Sequence, residues 1–468
     1  MEKGYFYFEK DTLASGCPGL NNKTIQGLWN GFCFHAGFLT VSENEPDCFG
    51  FKIGEAEYPV LQKGQEYKIE VTETGIGILA DSYESLVRGL MTLMLRIEAV
   101  SLLEGQERFR IAVCSLSSRY TIGIRMIHFC IFPETSTAFI RKFVRLAGVM
   151  QYTHVILEFW GMLKYDCLKE LSWENAFSKD QLKVLIREIE NMGMYAIPMF
   201  NHLGHASGCR VSGGKHVVLD QNPRLATLFA EDGWSWNIGS AETRTLLKNI
   251  RGELYELFPR SEYIHLGCDE VYSYESGDEK QAKMRQYLHD LIEEVKSEGK
   301  IPIIWGDMLL NPEACGVEKP YFCGCDTPEH ARKMAECIPK DTIIADWHYD
   351  VVQAPVKTSI YLKDQGFEVL GTPWFRIENC KAFVDTILSN DLMGILVTTW
   401  HTLSEKMTQI IAAAVLCGAY HSPWAGTAKN EIQTETATLL RKVYFVHGNY
   451  TEAGWTDSQI FKQAQPLA

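Results

Sequence analysis

Eight short apolar runs alternate with stretches of helical length from about residue 119 onward, and the runs end on polar or aromatic residues. That alternation predicts a parallel sheet closed into a (β/α)8 TIM barrel. The first 118 residues lack it and read as a small α/β domain in front. Three segments follow: 1–118, 119–430 as the barrel, and a helical tail over 431–468.

In the first segment Glu66–Val71 alternates, Thr72-Glu73-Thr74-Gly75 turns, and Ile76–Ala80 returns, which predicts a hairpin. Ser82 then opens a helix reaching Leu95. The barrel strands follow in order. Ile122–Phe129 is the first, with a helix from Pro133 to about Met150 behind it. His154–Trp160 is the second, followed by a helix over 179–192 that Gly193 stops, and Tyr195–Phe200 is the third. The helix Glu242–Leu257 leads to the fourth, inside Glu262–Tyr272. After a helix over Asp278–Glu298 come Ile301–Trp305, Thr342–Trp347, Glu368–Gly371 and Gly394–Trp400. Tyr321-Phe322-Cys323-Gly324 is open to reading as a ninth strand. We read it as an insertion, with Pro328–Cys337 as an extra helix over the barrel mouth. In the tail, Ala437–Val446 reads as one helix.

Composition narrows the function. Hydrophobic residues at 46% and charged residues at 22% are those of an ordinary globular protein. The net charge of -14 opposes nucleic acid and anionic membranes as partners. No apolar run approaches the length of a membrane span, and the N-terminus shows no signal peptide. The 14 cysteines are scattered, with no Cys-x-x-Cys pair and no zinc spacing. Many unpaired thiols point to a reducing, cytoplasmic setting, and no metal or other cofactor is expected.

Barrel enzymes carry their chemistry after the strands. Here those positions hold Glu158 and Trp160; Asn201, His202 and His205; Asp269 and Glu270; Trp305 and Asp307; Trp347, His348 and Tyr349; Trp374; and Trp400 with His401. Adjacent acids at the end of a buried strand are costly unless paired or used. Trp305, Trp347 and Trp400 at three strand ends suggest an aromatic pocket about one sugar ring.

His265-x-Gly267-x-Asp269-Glu270 resembles the active-site signature of family 20 glycoside hydrolases, the β-N-acetylhexosaminidases. Gly204-His205 after the third strand matches a second motif, and Asp232–Asn237 and Trp305-Gly306-Asp307 follow the family's order. The likeness spans roughly residues 60–425 and looks closest to an intracellular bacterial branch. It implies an exo-acting, retaining enzyme that removes terminal β-linked GlcNAc or GalNAc from oligosaccharides or glycoconjugates. In that family the substrate's 2-acetamido oxygen is the nucleophile and forms an oxazolinium. The resemblance makes Glu270 the general acid and base, and Asp269 the partner of the acetamido N–H. His205 then supports the catalytic carboxylate. Tyr349 donates to the acetamido oxygen, with Tyr272 as the alternative. Asn201, Glu158, Asp307 and the three tryptophans complete a substrate pocket.

Two positions depart from the pattern. No arginine follows His128 at the first strand, and Trp400-His401-Thr402 stands where the family often has Trp-x-Glu. Both would recognise outer hydroxyls, so the choice between GlcNAc and GalNAc stays open. Two other readings remain at this point: a non-catalytic sugar-binding barrel, and a glycosidase using distant carboxylates such as Glu158 with Glu270.

Overall fold

The structure is a computed structural model. It describes residues 4–9, 12–17, 20, 40–43, 48–101, 107–118, 120–133, 135–207, 218, 222–274, 277–318, 323–374, 376–400 and 407–420. The expected tail helix and the 321–322 part of the insertion lie outside these.

Eight parallel strands close a barrel: Ile124–Cys130, His154–Glu158, Tyr195–Met199, Tyr263–His265, Ile301–Trp305, Ile343–Trp347, Glu368–Thr372 and Gly394–Thr398. Closure is made where the first strand pairs with the eighth, with His128 opposite Thr398. The expected strands are all present, with ends shifted by a residue or two. The fourth is only three residues long, because the chain leaves the extended conformation at Gly267, where φ is 67°.

Strand side chains alternate between inside and outside. One parity places Met126, Ile156, Ile197, Met199, Ile303, Ile343, Ala345, Leu370 and Leu396 in a single buried cluster that plugs the barrel. The same parity, carried toward the strand ends, brings His128, Glu158, His265, Trp305, Trp347 and Trp400 to the top of that plug. The other parity packs on the surrounding helices.

Those helices start where short polar side chains cap them. Ser136 accepts the Phe139 N–H ahead of Thr137–Val149, so this helix begins four residues past Pro133. Ser178 and Gln181 form a reciprocal cap on Lys179–Asn191, and Gly193 ends that turn at φ 75°. Pro328–Cys337 is not an extra lid. It lies against the helix Asp278–Ser297, fastened by His330 Nε2 at 2.8 Å from Asp278 Oδ1 and by His289 on the Cys337 carbonyl. It therefore fills the ordinary ring position between strands five and six. Sequence periodicity gives a helix's apolar face but not which neighbour covers it.

In front of the barrel lie a six-stranded and a three-stranded sheet, ending at Ser117. The expected hairpin pairs Tyr67–Val71 with Gly75–Ala80, and the helix Tyr83–Met94 packs on it. A buried polar knot joins this domain to the barrel: Gln151, at φ 63°, bonds Tyr67, Thr92 and Tyr120. Arg88 adds a 2.9 Å bond to the Gly193 carbonyl. Among the described residues, no helix is long and apolar enough to cross a membrane.

Candidate active site

Adjacent residues on a strand point to opposite faces, so Asp269 and Glu270 need a bent backbone to act together. The chain supplies it. Gly267, Cys268 and Glu270 all have positive φ, at 67°, 72° and 49°. For Cys268 and Glu270 this is a strained region, and surrounding contacts must hold it. They do: the Glu270 N–H donates to Asp307 Oδ2 at 2.8 Å, and the Glu270 carbonyl accepts the Trp234 indole N–H at 2.8 Å. The result turns both carboxylates onto one imidazole. His205 Nε2 is 3.2 Å from Asp269 Oδ2 and 3.2 Å from Glu270 Oε2. Asp269 is buried, whereas the Glu270 side chain keeps 30% of its surface open.

Two glycines allow this approach. A Cβ on Gly204 would run into the Asp269 carbonyl oxygen, and one on Gly267 would run into the Asn201 side chain. The two motifs of the sequence, Gly204-His205 and His265-x-Gly267-x-Asp269-Glu270, are thus locked back to back. His205 itself is at φ 57°, with its ring 4.3 Å from Trp234 and nearly parallel to Trp160 at 6.4 Å.

On the opposite side stand Trp347, Tyr349, Trp374 and Trp400. Tyr349 stacks on Trp347 at 5.2 Å, meets Trp374 edge-on at 5.1 Å, and accepts the Trp400 indole N–H at 2.8 Å. Burial holds its phenol well above the ordinary value, so it stays protonated. Tyr272 instead is 45% exposed beside Trp234. Tyr349 is therefore the tyrosine set among the tryptophans.

Several residues expected in the pocket wall lie beneath it instead. Glu158 is fully buried, and its carboxylate takes His128 Nε2 at 2.8 Å, Cys130 Sγ at 3.3 Å, Asn201 Nδ2 at 3.2 Å and the Trp160 indole N–H. It cannot face Glu270 across a glycosidic bond, which removes that two-carboxylate reading. Asn201 serves this network, and its carbonyl accepts the Trp236 indole N–H at 2.8 Å. Asp307 is likewise enclosed, accepting from Glu270 N and, at 3.3 Å, from Trp347 Nε1. Burial first, then the charge of Asp269, pushes its carboxyl well above the usual range. Trp305 is a floor residue with no exposed surface, packed on His265 at 4.3 Å and Trp400 at 5.4 Å. Its neighbour His265 is held neutral, lowered to about 3 by burial and then by His128, while its Nδ1 accepts the Gly267 N–H.

Residue identity had signalled other participants only weakly. Trp160, Trp234, His128 and Cys130 all touch the network; Trp160 stands at a strand end, Trp234 within Asp232–Asn237 and His128 at the first-strand departure, whereas Cys130, one residue past the expected first strand, carried no such signal. His401 and Thr402 lie outside the described residues. Among the described residues, two groups have spacing that could hold a metal ion, His128 with Cys130 and Glu158, and His205 with Asp269 and Glu270. In both, hydrogen bonds or close His–carboxylate contacts join the same atoms. His202 is in neither group; its Nδ1 donates to the Phe200 carbonyl at 2.6 Å.

Residues 156–373, from within the second strand to just past the seventh, match the model of glycosyl hydrolase family 20, catalytic domain. A lacto-N-biosidase of Bifidobacterium bifidum is 22% identical over 201 residues, covering 39% of this chain. The chain spans only 17% of that curated relative's length. Among solved structures, an exo β-N-acetylglucosaminidase of Vibrio harveyi in complex with N-acetylglucosamine superposes with TM-score 0.65 at 14% identity, over 94% of this chain and 74% of that one. A β-N-acetylhexosaminidase of Bacteroides fragilis gives 0.63 at 15% identity, over 90% and 89%. A mutant β-hexosaminidase of Streptomyces plicatus in complex with GlcNAc gives 0.63 at 12%, over 97% and 95%. At these identities the superpositions speak for the fold. The family-model match falls on the stretch that carries His205, Asp269, Glu270 and Asp307, and it supports assigning the chain to glycosyl hydrolase family 20.

Proposed function

We propose that the protein is an exo-acting, retaining β-N-acetylhexosaminidase that removes terminal β-linked GlcNAc or GalNAc by substrate-assisted catalysis. One observation carries the reading: Asp269 and Glu270 converge on a single imidazole nitrogen, 3.2 Å from each. Two acids on the same side of the site cannot flank a glycosidic bond as acid and nucleophile. The other two carboxylates expected there, Glu158 and Asp307, are enclosed and engaged. A nucleophile from the substrate itself fits this arrangement.

In the first step the Glu270 carboxyl gives its proton to the leaving oxygen as the C1–O bond breaks. The acetamido oxygen attacks C1 and closes a five-membered oxazolinium ring. Asp269 accepts the acetamido N–H and offsets the positive charge that develops. Tyr349, whose oxygen already accepts from Trp400, turns its own proton toward the acetamido oxygen. In the second step water attacks C1, Glu270 takes its proton, and the ring opens with the original configuration restored. The partly exposed Glu270 suits a group that must meet both the leaving sugar and water.

The departure at the first strand leaves the ring's outer hydroxyls without the family's arginine, since Ile131, three residues past His128, is a buried apolar side chain. The sugar's far edge is therefore read by other groups. No disulfide joins the described cysteines, which supports a reducing, cytoplasmic setting.

A cyclic thiazoline analogue of the oxazolinium tests the proposal. It should bind at least about 10²-fold more tightly than the GlcNAc product, as a ligand resembling the transition state does. Affinity no better than that of GlcNAc would count against the mechanism.

A further inference from the structure

The first two barrel strands end on three different metal-binding side chains. His128 and Cys130 stand two residues apart on the first strand, so they share a face. Glu158 is paired opposite Cys130 at the end of the second. All three are fully buried. His128 Nε2 lies 2.8 Å and Cys130 Sγ 3.3 Å from the same oxygen, Glu158 Oε2, and the three ligand atoms fall within 4.8 Å of one another. In a tetrahedral zinc site neighbouring ligand atoms stand about 3.4–3.6 Å apart. The sulfur–oxygen separation is nearly there, and the nitrogen–oxygen one has to open by about half an ångström.

The donor set selects the ion. A thiolate favours soft, thiophilic cations over Mg2+ and Ca2+, and imidazole suits zinc. Three protein ligands leave the fourth position to water. His205 with Asp269 and Glu270 has comparable spacing but no sulfur, so it offers nothing that prefers a soft ion. The charges also balance at the first group. On binding, the Cys130 thiol loses its proton to solvent and its sulfur bonds the ion. His128 bonds through Nε2, and its proton passes to Nδ1, which makes no hydrogen bond among the described residues. Glu158 bonds through Oε2, while Oε1 keeps Asn201 Nδ2 and the Trp160 indole N–H. A dication against one thiolate and one carboxylate is neutral, the form least costly to enclose.

We propose that His128, Cys130 and Glu158 bind one thiophilic divalent cation of the zinc class, and that its binding inhibits the enzyme. The ion is not a participant in the reaction. Inhibition follows from His128, whose ring meets Trp400 edge-on at 4.9 Å, while Trp400 donates to Tyr349 at 2.8 Å. Drawing His128 onto an ion shifts that wall of the sugar pocket. This second part rests on the reading of Tyr349 as an acetamido contact, whereas binding of the ion does not.

Cadmium is the probe, because a cadmium–thiolate bond adds an ultraviolet charge-transfer band. Reduced wild-type protein is titrated with Cd2+, and with Mg2+ as a control, while absorbance and hydrolysis of a nitrophenyl β-N-acetylglucosaminide are followed together. One equivalent of Cd2+ should bind tightly, the band and the loss of rate should share a midpoint, and EDTA should reverse both. Mg2+ should do neither. Cys130→Ser keeps a donor for Glu158 and removes the sulfur. An outer-shell partner is typically worth 10–100-fold in metal affinity, so loss of a direct ligand should weaken this step by at least about 10²-fold. Each protein's rate is read against its own metal-free value. A tight band that persists in Cys130→Ser would place the ion on other thiols and overturn the proposal. So would the absence of a band in wild type, or inhibition that is the same in both proteins. A Cys130-dependent band with an unchanged rate would overturn the inhibition. Should metal-free wild type not hydrolyse the acetamido substrate, the reading of the function fails, and the band alone still decides whether the site exists. Should Cys130→Ser fail to fold, the anomalous signal of a cadmium-soaked wild-type crystal decides. A peak among His128, Cys130 and Glu158 supports the site, and peaks only elsewhere overturn it.

Discussion

Replacing Glu270 by glutamine removes a proton while changing little else, and the structure says why. The residue's backbone is pinned on both sides, by Asp307 on its N–H and Trp234 on its carbonyl, each at 2.8 Å. The amide is the same size, so the φ of 49° and the surrounding contacts persist. The loss is then that of general acid assistance, roughly 10²–10⁴-fold in rate, or about 3–5 kcal/mol of barrier. It should appear in full on an oligosaccharide, whose leaving alcohol is a poor one. A dinitrophenyl glycoside leaves without protonation, so there glycosylation should fall by less than about tenfold. The assay is steady-state and burst kinetics of wild type and Glu270→Gln on both substrates. Equal loss on the two would refute Glu270 as the acid, and the argument from convergent carboxylates with it.

Two further expectations follow from buried acids. Asp307→Ala leaves the Glu270 N–H and Trp347 Nε1 without their acceptor, so it should destabilise the fold by about 1–3 kcal/mol and lower kcat; an unchanged urea midpoint with unchanged kcat would deny the role of Asp307 as the brace of Glu270. Asp346 is fully buried under Thr358 and Ser359, and burial raises its carboxyl to about 6. Its folded value exceeds the ordinary one, so its contribution to stability is fully present below about pH 4 and is lost as pH rises through about 6, on the order of 3 kcal/mol in total. Asp346→Asn should abolish that slope in denaturant titrations between pH 4 and 6.5, and an unaltered slope would contradict it.

Much of this molecule is legible in its sequence because barrel strands are short apolar runs with polar ends. The eight runs map onto eight strands, and the adjacent acids Asp269 and Glu270, the histidine His205 and the two glycines stand in recognisable motifs. What the runs do not carry is depth. Glu158, Asp307 and Trp305 sit at strand ends like the wall residues, yet the interior parity places them beneath the pocket floor, where partners from other strands claim their polar atoms. Sequence position favoured Tyr349 over Tyr272, and packing separates them further, as an enclosed phenol and an exposed one. The helix Pro328–Cys337 was legible as a helix, but its neighbour was not. The bend that lets Asp269 and Glu270 act together was also hidden, because only Gly267 of its three left-handed residues advertises that conformation.

The account stands or falls on where the nucleophile comes from. The direct measurement is kcat/KM on a matched pair, an aryl β-N-acetylglucosaminide and the aryl β-glucoside that differs only at C2. A well-oriented internal nucleophile is worth roughly 7–11 kcal/mol, and the described carboxylates nearby, Glu158 and Asp307, are enclosed and engaged. The acetamido substrate should be favoured by at least about 10⁴-fold, which asks for only about half of that advantage. Comparable kcat/KM on the two, or a covalent sugar trapped on Asp269 by a 2-fluoro glycoside, would contradict the account.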